Sequence, residues 1–141
     1  MDNDRHSMKT IPMQRICELV QSLLKTNTQV QRAPYHYASV HVLQVLQREG
    51  LIRGFAIEGN RINIMLKHYL GSPVIQQVTV VSRPSREIFM SASELKTKTS
   101  FNSGTWLVES SVGIMTHRQC IEAGVPGKVL LGLNTGSQKW V

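Results

Sequence analysis

The chain has 141 residues and a mass of 15.8 kDa, enough for one domain or two small units sharing an interface. With 41% hydrophobic and 18% charged residues, the composition excludes global disorder, and no apolar run approaches the ~20 residues of a membrane-spanning helix. Sixteen Lys and Arg against nine Asp and Glu leave a formal charge of +7, a balance that favours a polyanionic partner, nucleic acid first.

Residues 1–9 read as a polar tail, with no apolar segment after Met1-Asp2-Asn3-Asp4-Arg5 to suggest a secretory signal. Ile16, Leu19, Val20, Leu23 and Leu24 follow helical spacing and form one apolar stripe. Thr10 and Pro12 stand where a cap and a first-turn proline help to start that helix. Residues 26–33 are polar and read as a loop or a short strand around Val30. Pro34 opens a second helix with Val42, Leu43, Val45 and Leu46 on its core face, and Gly50 ends it. Leu51–Glu58 and Arg61–Lys67 are expected to form a hairpin around Gly59-Asn60, with Ile62, Ile64 and Leu66 on one face. Val74–Val81 is a further strand, so the first half reads α-α-β-β-β.

Ser82-Arg83-Pro84 is the expected joint, because Pro84 holds Arg83 extended. Glu87–Met90 is short and strand-like. Ser91 and Glu94 have capping-box spacing and predict a brief helix through Lys98. Asn102-Ser103-Gly104 is a turn and Thr105–Ser110 a strand. Thr116 and Gln119 repeat the capping-box spacing and begin a second short helix ending near Gly124. Pro126-Gly127 turns the chain into a closing strand, Lys128–Leu133, before a polar tail over 134–141. The fold class is therefore α+β, with two small α/β units at 10–81 and 82–133.

Charge is unevenly placed. No acidic residue lies between Glu58 and Glu87, whereas Arg61, Lys67, Arg83, Arg86 and His68 do. Such a stretch keeps its positive potential, as phosphate contact and counterion release require; a solvated sheet edge protected against aggregation is the plainer explanation. Cys17 and Cys120 are isolated, and the five histidines show no metal-ligand spacing. Neither a metal nor another cofactor is expected. The loop Glu109-Ser110-Ser111-Val112-Gly113-Ile114-Met115-Thr116 sets two hydroxyls beside a glycine. Small hydroxyls can bond phosphate, a ribose 2′-OH or a base edge, and Gly113 admits a close backbone approach.

Four segments together resemble the small-subunit ribosomal protein eight family. Glu49-Gly50-Leu51-Ile52 is similar to its Glu-Gly-Phe-Ile, and Val81-Ser82-Arg83-Pro84 to its Val-Ser-Arg-Pro linker. Gly113-Ile114-Met115-Thr116 is similar to Gly-Val-Met-Thr, and Ala123-Gly124-Val125-Pro126-Gly127 to Ala-Gly-x-Gly-Gly. The resemblance implies a non-enzymatic protein of two small α/β domains that binds the central domain of small-subunit rRNA beside neighbouring ribosomal proteins. In the family the main contacts come from the C-terminal domain, whose Ser-Thr-Ser-x-Gly loop reaches into a distorted RNA helix; this suits RNA, whose narrow major groove leaves shape, 2′-OH groups and unpaired bases to be recognised. On this basis the expected rRNA-binding residues are Ser110, Ser111, Gly113 and Thr116, then Ser82, Arg83, Pro84 and Arg86, with Lys128 and Tyr37.

The departures carry their own expectations. Glu109 stands where the family has serine, and should turn away from phosphate unless the RNA differs. Lys128 replaces a glutamate. A gapless alignment sets Glu18-Leu19-Val20-Gln21-Ser22 against the family's Thr-Arg-Ile-Arg-Asn, removing both arginines. Tyr35-His36-Tyr37 follows Pro34 where the family has Ser-Ser-Lys, exchanging a lysine for two aromatic rings. The first helix is expected to contact RNA less and to meet protein instead. Such drift points to a mitochondrial ribosome, with a bacterial or plastid one otherwise, although Asp2 and Asp4 are unlike a transit peptide. Two other readings are a regulatory RNA-binding protein that acts free of the ribosome, and a small hydrolase using Ser111 with His117, the latter lacking a carboxylate orienter.

Overall fold

The computed structural model describes residues 12–23, 30–100 and 104–135. The expected N-terminal tail with Thr10, the turn residues Asn102 and Ser103, and residues 136–141 with Trp140 lie outside them. Helix α1 (Met13–Leu23) buries Ile16, Leu19, Val20 and Leu23 along the expected stripe. Strand β1 (Val30–Pro34) follows, within the segment expected to be a loop or a short strand, and it takes in Pro34, which was expected to open the second helix. Helix α2 (Tyr37–Arg48) buries Val42, Leu43, Val45 and Leu46. His36 caps it, its Nδ1 accepting the Ala38 N–H at 3.1 Å. Gly50, at φ +77°, takes the left-handed position after the helix.

Strands β2 (Ile52–Glu58) and β3 (Arg61–Leu66) form the expected hairpin, and β1 adds to the other side of β3. This antiparallel sheet turns Ile62, Ile64 and Leu66 inward. A two-stranded ribbon, β4 (His68–Tyr69) and β5 (Ser72–Pro73), comes next.

The second sheet runs β6-β10-β8-β9, from β6 (Gln77–Val80), β8 (Thr105–Ser110), β9 (Gly113–Thr116) and β10 (Gly127–Asn134). The short β7 (Phe89–Met90) pairs with the start of β10. Helices α3 (Ala92–Thr99) and α4 (His117–Ala123) each begin with the predicted capping box, and Gly124 closes α4 in the left-handed conformation. The strand read at 74–81 is shorter. It pairs with β10 through Val80↔Leu131 and Val78↔Leu133, so the second sheet begins before Ser82.

The cores explain this placement. Leu107, Leu130, Leu131 and Leu133 join Ile16, Leu19, Leu43, Leu46 and Ile62 in one large cluster that crosses the expected joint. A smaller cluster of Leu95, Val108, Cys120 and Val129 lies under α3 and α4. Residues 127–131 of β10 are buried without interruption. The run takes in Val129, Leu130 and Leu131 together with the charged Lys128, so both faces of this central strand are covered.

Candidate nucleic-acid interface

The β8–β9 hairpin closes on the pair Ser110↔Gly113, with Ser111 and Val112 at its tip. Ser110 is buried. Its Oγ donates to the Gly113 carbonyl at 2.9 Å and accepts the Val112 N–H at 3.1 Å. Ser110 thus fixes the shape of the turn, and the freely presented hydroxyl belongs to Ser111, which is exposed together with Val112 and Gly113. Gly113 sits at φ +124° with open space where a Cβ would project. Glycine adopts that backbone readily and leaves the surface open to close approach. Val112, read from sequence only as a variable position, is 70% exposed and is the apolar element of the tip.

Thr116 is buried. Its Oγ1 accepts the Gln119 N–H at 3.3 Å, while its own N–H donates to Gln119 Oε1 at 3.0 Å. Its hydroxyl positions α4 beneath the hairpin. Ser82 is fully buried, and its Oγ accepts the Ile88 N–H at 2.8 Å. Ser82→Ala leaves that N–H without its acceptor and should cost about 1–3 kcal/mol, measurable as a lowered urea midpoint.

Between Ser82 and Ile88 the chain reverses tightly. Arg83 N–H donates to the Arg86 carbonyl at 2.9 Å, and Arg86 N–H to the Arg83 carbonyl at 3.0 Å. Arg83, Pro84 and Arg86 are all exposed. Tyr37 stands at the start of α2, half-buried against the larger core. Its ring lies 4.6 Å from that of His36 and meets His41 edge-on at 6.2 Å.

Lys128 departs most from the sequence reading. Its side chain is 1% exposed. Its Nζ donates to Glu87 Oε2 at 3.1 Å and lies 3.5 Å from Glu109 Oε1. Lys128 is directly opposite both Glu109 and Phe89 in the sheet. Its charge therefore works inside the protein, joining the 82–88 loop to the base of the hairpin. Glu109 turns inward to this ammonium. Glu87 was not singled out from sequence. The signal lay in two departures taken together: a serine replaced by an acid and an acid replaced by a base, on neighbouring strands.

The structure therefore brings together the hairpin, Lys128 and the 82–88 loop. His117 does not serve Ser111. Strand β9 separates the two by about 13 Å at ~3.3 Å per residue. The buried imidazole accepts the Trp106 N–H at Nδ1, 3.1 Å away. Burial, then the Arg118 guanidinium, lowers the His117 pKa below its ordinary 6.5. Below that pH the unfolded chain takes up the proton more readily than the folded one. The stabilisation from neutral His117 is full above about 6.5 and is lost as pH falls toward the depressed folded value. Thermal midpoints should fall between pH 7 and pH 5, and His117→Gln should flatten that slope.

The family model described as Ribosomal protein S8 matches residues 5–133. The small ribosomal subunit protein uS8 of Chromobacterium violaceum is 35% identical over 101 residues, covering 69% of this chain and 76% of that protein. Its counterpart in Neisseria meningitidis serogroup C is 30% identical over 122 residues, covering 84% and 93%. That of Marinobacter nauticus is 37% identical over 100 residues, covering 69% and 76%. With a match spanning both sheets, all the helices described and the hairpin between Ser110 and Gly113, the chain belongs to the ribosomal protein S8 family.

Proposed function

We propose that this protein is a structural, non-enzymatic constituent of the small ribosomal subunit that binds the central domain of small-subunit rRNA among neighbouring ribosomal proteins. The observation that carries this reading is the hairpin tip. Ser111, Val112 and Gly113 project into solvent on a turn locked from behind by Ser110. A preformed tip of this kind gives up little conformational entropy on binding. It offers a hydroxyl, an apolar contact and open backbone, which suit the 2′-OH groups and unstacked bases of irregular RNA.

Binding of the full chain to a central-domain rRNA fragment tests the proposal. The logarithm of affinity should fall steeply and linearly with the logarithm of salt concentration, by about 0.9 per phosphate contact on duplex. Ser111→Ala should weaken binding by about 0.5–1.5 kcal/mol without lowering the thermal midpoint. A flat salt response would refute the RNA reading, and an unchanged affinity would remove the Ser111 hydroxyl from the interface.

A mitochondrial ribosome is the finer reading. It is supported by the first helix, where Leu19 and Val20 are buried and Ser22 donates to the Arg32 carbonyl at 2.8 Å. None of these positions offers RNA a cation. Stoichiometric recovery of the chain in small subunits from purified mitochondria supports this assignment; recovery only from another compartment overturns it.

A further inference from the structure

Arg83 and Arg86 form an antiparallel bridge closed by two reciprocal backbone hydrogen bonds, with only Pro84 and Ser85 between them. Residues directly opposite in such a pair project from the same face, with Cα atoms about 5.5 Å apart. The turn therefore sets the two arginines on one face within reach of a common ligand, and both residues are exposed. Among the described residues neither makes an ion pair.

The three carboxylates nearest in sequence or across the sheet are all engaged elsewhere. Glu94 accepts the Ser91 N–H at 2.9 Å in the cap of α3. Glu87, next to Arg86 in the chain, and Glu109 both lie against the buried Lys128 ammonium. Without Lys128, Glu87 would be a free acid one residue from the pair.

We propose that Arg83 and Arg86 form a clamp for a single RNA backbone phosphate, and that buried Lys128 keeps the clamp open by holding Glu87 away from it. Guanidinium groups suit this ligand, since their planar donor forks match phosphate oxygens in a bidentate manner. Lys128 acts as a positioning residue and touches no RNA. The inference rests on the rRNA reading above and assigns to this loop a phosphate contact separate from the hairpin tip.

The test is salt-dependent binding of the full chain to the central-domain rRNA fragment. Arg83→Gln combined with Arg86→Gln should reduce the log–log salt slope by about 0.7–0.9, the share of one phosphate on single-stranded or duplex RNA. A slope that does not change overturns the clamp, and a drop twice as large overturns it too, by showing two separate contacts. Unchanged rRNA affinity combined with failure to enter small subunits would reassign the pair to an acidic protein neighbour. If the unaltered chain shows no salt-dependent binding at all, the rRNA reading fails; if it binds and the double variant binds identically, only the clamp fails.

The role of Lys128 has its own arms. Lys128→Met should lower the slope although the residue is buried, and adding Glu87→Gln should restore it; absence of that rescue overturns the role. Should Lys128→Met fold poorly, Glu87→Gln alone decides, since an acid already held by Lys128 can be removed without changing the slope. A rise in slope would mean that Glu87 was already drawing on the arginines, which overturns the role of Lys128.

Discussion

Replacing Glu87 and Glu109 together by glutamine is expected to destabilise the fold by roughly 3 kcal/mol, because it strands a buried cation. Lys128 is 1% exposed, so its ammonium is shielded from bulk water and depends on the two carboxylates beside it. The glutamine oxygens can still accept hydrogen bonds, so the loss is one of charge rather than of packing. Lys128→Met should cost less, although it breaks the same contacts. The side chains of Glu87 and Glu109 are 37% and 15% exposed, so a released carboxylate can turn to solvent. Combining all three substitutions should recover most of the stability, since a buried ion pair and an apolar or neutral replacement of similar volume are often equivalent. Urea denaturation of the four proteins provides the measurement. A double glutamine variant within 1 kcal/mol of the parent would show that the cluster is solvated and carries no such penalty.

That cluster also marks where sequence reading stopped. Helices α1 and α2, the β2–β3 hairpin and both capping boxes were legible because each is announced within a few residues. Ile16, Leu19 and Leu23 repeat at helical spacing, and Ser91 with Glu94 and Thr116 with Gln119 close their caps locally. The sheet partner of β6 was not legible, since the Val80↔Leu131 pairing spans more than a third of the chain and nothing in Gln77–Val80 names its neighbour. Charge was the more instructive failure. Lys128 and Arg86 contribute equally to a formal net charge, but one is enclosed by two carboxylates and the other is exposed. The serines divide in the same way. Ser110 uses its hydroxyl inside the turn and Ser111 presents one outward, a distinction that requires the register Ser110↔Gly113. The resemblance points to the hairpin, and the three-dimensional pairing decides which of its atoms face outward.

Among Gly113, Gly127 and Gly132, Gly127→Ala should be the most damaging single-methyl change, and it links stability directly to the hairpin. A Cβ at Gly127 would lie 2.5 Å from Val108 Cγ1 and 2.7 Å from the Glu109 carbonyl oxygen. The Val108 side chain could rotate, but the carbonyl belongs to the β8 backbone, which is hydrogen-bonded between β9 and β10. Relief therefore means separating β10 from β8 at the pair Gly127↔Ser110, the base of the hairpin. Overpacking costs typically 1–3 kcal/mol, and a backbone obstacle in a central strand places this substitution at about 3 kcal/mol or more. Two other glycines provide the controls. Gly132→Ala meets only the Trp106 ring, at 3.3 Å, and should cost less. Gly113→Ala meets nothing, and its cost is the strain of φ +124°, about 1–3 kcal/mol. Thermal unfolding should rank Gly127→Ala as the most destabilised of the three. RNA binding should set both hairpin variants apart from the control: Gly113→Ala alters the tip itself and Gly127→Ala shifts the base on which the tip is mounted, so both should lose affinity while Gly132→Ala retains it. If Gly127→Ala bound the rRNA fragment as tightly as the parent, the hairpin would not depend on its seat against β10, and the coupling between the buried strand and the exposed tip would have to be abandoned.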